Sequence, residues 1–158
     1  MTAKEMWELF AAREDVTAEY EAWAFGGAPD KLADLTLKGI KTATASALIW
    51  YETGEEPMPR EGSYSVILNS GEEAVCVIRT TRVYVVPFDQ VSSEHAWKEG
   101  EGDRSLEYWR KVHEEFFSGE LKEIGQPFRE DMGVVCEEFE LVFRKRSITT
   151  RIAILPLP

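Results

Sequence analysis

The sequence has little from which to build a metal or redox centre. Its 158 residues include two histidines and two cysteines, and these lack the spacing of a zinc site. Cys76 and Cys136 each lie inside an apolar, strand-like run, the setting of a buried free thiol. No Walker loop, G-x-G-x-x-G, H-E-x-x-H or G-x-S-x-G occurs, and with only His95 and His113 a histidine-based triad has little to stand on. Nowhere does an apolar run approach the roughly 18 residues of a membrane span. The segment Met1–Met6 has no apolar signal-peptide core, so a soluble, cytoplasmic protein is expected. Internal repeats, low-complexity tracts and linkers are absent too, which predicts one domain over 1–158.

What is present is acid. Asp and Glu number 29 against 18 Lys and Arg, a net charge of -11. Without a local basic patch such a surface repels phosphate backbones, so non-specific DNA binding is not expected. A neutral or small ligand suits the charge better. Apolar residues make up 44% of the chain, enough for a substantial core.

Along the chain the patterning is α+β. Thr2 and Glu5 form a capping-box pattern, and Met6, Leu9, Phe10, Val16 and Tyr20 continue at helical spacing, predicting a first helix over 3–23. Pro29 opens a second helix with Leu32, Leu35 and Leu37 inward, and Gly39 is placed to end it. The run 42–51 is ambiguous between strand and helix; its alanines and the stop at Gly54 favour helix. From Ser63 the period becomes two. Tyr64, Val66 and Leu68 alternate, Asn69-Ser70-Gly71 turns, and 74–86 is a long strand, together a hairpin with a bulge or bend at Thr80-Thr81-Arg82. Asp89 or Ser92 can cap a short helix through Trp97, and Asp103 or Ser105 an amphipathic helix bearing Leu106, Trp109, Val112, His113, Phe116 and Phe117, with Gly119 near its end. On this helix His113 reads as a packed residue, and His95 also as structural. A strand over 134–143 with one wet face follows, then the basic patch at 144–146 and an edge strand over 148–155.

The candidate chemistry centres on Gly39-x-Lys41-x-x-Thr44. A threonine hydroxyl that attacks an amide needs a base to take its proton, and a lysine can serve where its surroundings let it lose its own. Lysine and threonine three apart share one side of a helical turn but lie on opposite faces of a strand. The pair can therefore cooperate only if the backbone turns between them.

With Gly62-x-Tyr64, Cys76-Val77-Ile78-x-Thr80-Thr81, Pro87-Phe88, Glu99-Gly100-Glu101-Gly102-Asp103 and Trp109, this segment resembles the ASCH domain, in its small bacterial YhfF-like branch, over about 20–143. The resemblance implies a PUA-like fold: a small β-barrel flanked by helices, here with an N-terminal helical segment, and a cleft lined by the G-x-K-x-x-T stretch. It also implies RNA-related functions, and for one member type removal of the acetyl group from acetylated cytidine. On that pattern the catalytic candidates are Thr44 as nucleophile, Lys41 as base and Glu101 as supporting acid, with Glu99 close behind. Gly39, Thr42, Tyr64, Thr80 and Arg82 are candidate cleft residues, and Trp23 and Phe25 a candidate stacking platform for a base. No cofactor or metal is expected. The rival expectation is an RNA-binding module using Lys38, Lys41, Arg79, Arg82 and residues 144–146. A homodimer through the apolar tail is a further possibility.

Overall fold

The computed structural model describes residues 1–145. The expected edge strand over 148–155 and the end of the basic patch lie outside them.

Thr2 caps helix α1 (Ala3–Glu14) in a complete capping box, Thr2 Oγ1 accepting from the Glu5 N–H and Glu5 Oε2 from the Thr2 N–H. The helix buries Met6, Trp7 and Phe10. It does not run to residue 23. Asp15 adopts a left-handed cap (φ 54°), and 20–24 forms strand β1 (Tyr20–Ala24), parallel to β3 (Tyr64–Leu68). Tyr20 and Trp23 fit either periodicity at this range, and the open edge of β3 decides between them: the backbone pairs there while Tyr20 stacks on Trp7 at 4.7 Å.

Helix α2 (Pro29–Leu37) is as expected, with Pro29 in its first turn and Leu32 buried. The following run is corrected. Residues Ala43–Ala47 form strand β2, and only Ile49–Glu52 is helical (α3). Alanine's helix propensity is a few tenths of a kcal/mol per residue and is overridden by five paired positions on β5 (Gly133–Arg144), from Ala43–Glu138 to Ala47–Val134. The small side chains serve packing, since Ala43 and Ala47 are fully buried.

The β3–β4 hairpin forms as expected, β4 spanning Ala74–Pro87. Strand β4 then pairs along its length with β5, from Cys76–Arg144 to Pro87–Gly133, with a register shift between Thr80 and Arg82 where the sequence predicts a bulge. Such shifts bend a strand and tighten its twist. The sheet, ordered β1-β3-β4-β5-β2, is a curled half-barrel whose edges among the described residues are β1 and β2. Ser92 caps α4 (Ser93–Glu99) and Ser105 caps α5 (Leu106–Glu123). Helix α5 passes Gly119 because Leu121, beyond it, is buried and anchors the last turn.

Three apolar clusters hold the layers. Helix α1 covers Val66 and Val77, α2 covers Ile67 and Ile78, and α4 with α5 packs Ala96, Trp109 and Phe117 on Ala47, Val134 and Cys136. Each large side chain buried in this way contributes about 2–3 kcal/mol. Both cysteines are buried and free, and burial pushes their thiols up to about 12. No helix among the described residues is long and apolar enough to cross a membrane.

Candidate active site

The turn after α2 sets the site. Gly39 is left-handed (φ 72°), and the N–H groups of Ile40 and Lys41 both bond back to the Leu35 carbonyl. This turns the chain inward, so Lys41 is buried at 2% exposure. Its Nζ donates to the Ala43 carbonyl at 2.8 Å and to Glu99 Oε1 at 3.3 Å, and lies 5.0 Å from the Phe25 ring centre.

Glu99 is the last residue of α4, and the glycine after it fixes its place. At Gly100 (φ 76°) a Cβ would lie 2.6 Å from the Ile40 carbonyl oxygen, so only glycine lets the helix end rest on the backbone leading to Lys41. The Thr42 N–H seals this contact by donating to the Lys98 carbonyl at 2.7 Å.

The Glu99 carboxylate is saturated with donors. Oε1 faces Lys41 and, at 3.5 Å, His113 Nε2. Oε2 accepts from His95 Nε2 at 2.8 Å and from the Trp109 indole N–H. His113 lies between two pure acceptors: Nδ1 is 2.8 Å from the Trp109 carbonyl while Nε2 faces Glu99. This setting favours the imidazolium, and the His113 ring stacks on Trp109 at 4.0 Å. His95 donates through Nε2, which leaves Nδ1 to accept from the Tyr84 hydroxyl at 3.4 Å. Burial on its own raises the Glu99 carboxyl, but the charges of Lys41 and His113, with hydrogen bonds from both histidines, hold it well below the usual range. Burial on its own lowers His113, and the Glu99 charge overrides this and raises it.

This network forms one wall of a cavity of about 470 Å³, also lined by Thr44, Glu101, Phe25, Tyr108 and Phe116. The expected turn between Lys41 and Thr44 does not form, since the chain runs straight into β2; instead the Lys41 amine folds back to the Ala43 carbonyl, so both residues reach the same cavity although no hydrogen bond joins them. Glu101 stands at the same wall, with a ligating atom within 4.8 Å of those of Glu99 and His113. That triad makes a poor cation cage, because Glu99 already faces four donors.

The remaining candidates divide. Trp23 and Tyr64 line a second, larger groove, and Phe25 and Thr44 lie on the walls of both. Trp23 packs edge-on against Phe25 at 5.1 Å. Thr80 is buried and donates to Glu137 at 2.6 Å. Gly39 and Thr42 shape the turn, and Arg82 lies on the surface over the Tyr84 ring; none of the three lines either cavity. His95, His113 and Trp109 are the residues whose part the sequence reading missed. Their signal was i, i+4 spacing, His95 to Glu99 on α4 and Trp109 to His113 on α5.

Several of the cations expected to form a basic face are engaged. Lys38 pairs with Asp34 at 2.7 Å, Arg79 with Glu140 at 3.5 Å and Arg82 with Glu138 at 3.2 Å, while Arg144 donates to the Leu37 carbonyl at 3.1 Å.

A curled half-barrel backed by helices, with a buried lysine–glutamate pair opening on a cleft, is a PUA-like architecture. The ASCH domain model matches residues 21–143, and the chain belongs to the ASCH domain family. It is similar to the crystal structure of an ASCH domain from Lactobacillus crispatus, at 35% identity and a TM-score of 0.81, over 87% of this chain and 92% of that one. It is equally similar to a protein from Enterococcus faecalis, at 34% identity and a TM-score of 0.81, over 88% and 86% of the two chains. No curated protein matches it.

Proposed function

We propose that this protein is a small-molecule hydrolase that cleaves the amide of an acylated nucleobase or nucleoside, of the acetylated-cytidine type. The observation that carries this reading is the buried Lys41–Glu99 pair on the wall of a cavity shared with Thr44 and Glu101.

With Glu99 ionised beside it, Lys41 rests as an ammonium. Thr44 Oγ attacks the acyl carbon and gives its proton to Glu101, which no ion pair engages among the described residues. The carbonyl oxygen becomes an oxyanion, stabilised by the ammonium in a water-poor site. As the C–N bond breaks, Lys41 protonates the departing amine and is left neutral. The neutral amine then takes a proton from the water that attacks the threonyl ester. Release of the acid returns Thr44 its proton from Glu101, and the cycle closes with one water consumed. Glu99 touches no reacting atom in this scheme. It holds Lys41 in place and, with His95, His113 and Trp109, is a positioning residue.

The pairing of Lys38, Arg79 and Arg82 weighs against the alternative of an RNA-binding module, which needs free positive charge. Incubation with acetylated cytidine, following acetate release in the native protein and in Thr44→Ala and Lys41→Ala, tests the reading.

A further inference from the structure

Among the described residues the half-barrel is open between its edge strands β1 and β2, and a groove of about 900 Å³ occupies the gap. It adjoins the first cavity, the two sharing Phe25, Gly26, Thr44, Ala45 and Phe116. A ligand whose acyl group reaches Lys41 and Thr44 can extend its other half into this groove.

One acceptor there is open to the groove and one donor at its wall is unpaired. Glu137 is 8% exposed; Thr80 holds its Oε1, while Oε2 has no hydrogen-bond partner and the residue lines the groove. The Trp50 Nε1–H is buried with no partner. It lies close enough to Glu120 to lower that carboxyl, but not in hydrogen-bonding geometry, and burial with the charges of Glu56 and Glu123 keeps Glu120 raised. An acceptor open to the groove and an unpaired donor at its wall are both met by a group that donates and accepts. An ammonium cannot accept from the indole. A phosphate could, but Glu19, Glu21, Glu56, Glu120 and Glu137 all line the groove against the single cation Arg60, and none of the five is in an ion pair among the described residues. A neutral hydroxyl meets both demands without that repulsion, and the rings of Trp23, Trp50 and Tyr51 give such a ligand apolar faces.

We propose that the groove between β1 and β2 is a sugar site, in which Glu137 accepts from and Trp50 donates to hydroxyls of the ribose of a nucleoside that carries no phosphate. The identity of the sugar as ribose rests on the hydrolase reading above.

The test is calorimetric titration of the full chain with cytidine, 2′,3′-dideoxycytidine and cytidine 5′-monophosphate, in the native protein and in Glu137→Gln and Trp50→Phe. Dideoxycytidine should bind about tenfold more weakly than cytidine, the scale of a lost hydrogen bond to a charged group. The monophosphate should also bind more weakly, with a deficit that shrinks in salt. Each variant should narrow the gap between cytidine and its dideoxy analogue. Equal affinity for those two in the native protein overturns the sugar site, and so does a monophosphate that binds best. Failure of all three to bind removes the nucleoside and the sugar site together. Cleavage of the acetylated forms of cytidine and dideoxycytidine with equal kcat/KM removes the sugar site and leaves the hydrolase standing, whereas sugar-dependent binding without turnover does the reverse.

Discussion

Lys41 and Glu99 meet at 3.3 Å with side chains 1% and 2% exposed, 58 positions apart in the chain. A pair so placed is held by its surroundings: two buried charges attract strongly but lose their hydration, and only further hydrogen bonds make the arrangement favourable. Here the Ala43 carbonyl serves Lys41, while His95, His113 and Trp109 serve Glu99.

Removing one partner strands the other. Lys41→Met should cost about 3–5 kcal/mol, the scale for an uncompensated buried charge. Glu99→Gln should cost a similar amount by leaving Lys41 and His113 as facing cations. Urea denaturation of both variants measures this, and a loss below 1 kcal/mol would place the pair among weak surface contacts.

Stability should fall on both sides of neutrality, for opposite reasons. Glu99 has a lowered folded pKa, so its contribution is complete above the ordinary value of 4.5 and is lost as pH falls through the folded value. His113 has a raised folded pKa, so its contribution is complete below 6.5 and is lost as pH rises through the raised value. His113→Gln should abolish the decline above pH 6.5 and leave the acid limb. Unfolding free energy measured across pH checks both limbs.

Gly100→Ala should disturb the site from outside it. The new Cβ would meet the Ile40 oxygen at 2.6 Å with φ at 76°, a strain of about 1–3 kcal/mol. Since the contact seats Glu99, kcat should fall along with the melting temperature, whereas alanine at Gly119, where nothing lies within 4 Å, should stabilise the chain slightly.

Glu101→Gln separates the two acids. Glu101 is half-exposed and makes no ion pair among the described residues, so stability should change by less than about 0.5 kcal/mol. Turnover should drop about a hundredfold, the usual size of a general acid–base contribution. An unchanged rate would move the proton-accepting role elsewhere.

Much of this architecture was legible in the sequence, and the exceptions have physical causes. The β3–β4 hairpin, the bulge near Thr81, α2 and α5 follow from periodicity and caps that act locally. The extension of α1 to residue 23 and the helical reading of 42–51 failed where a strand edge overrides propensity, at Tyr20–Ala24 beside β3 and Ala43–Ala47 beside β5. Neither edge is visible from its own segment. Lys41, Thr44, Glu99 and Glu101 came to one cavity, but which acid meets Lys41 depends on the close seat at Gly100, a tertiary contact. The roles of His95 and His113 were hidden for the same reason: an i, i+4 spacing tells which residues share a helix face, not what charge that face meets.

The central claim is that Thr44 and Lys41 perform an amide hydrolysis. Acetate release from acetylated cytidine, compared between the native protein, Thr44→Ala and Lys41→Ala at equal folded concentration, addresses it most directly. The account predicts measurable release by the native protein and a loss of at least about a hundredfold in each variant. Equal rates in all three, or no release by the native protein from acetylated cytidine or related acylated nucleosides, would contradict it.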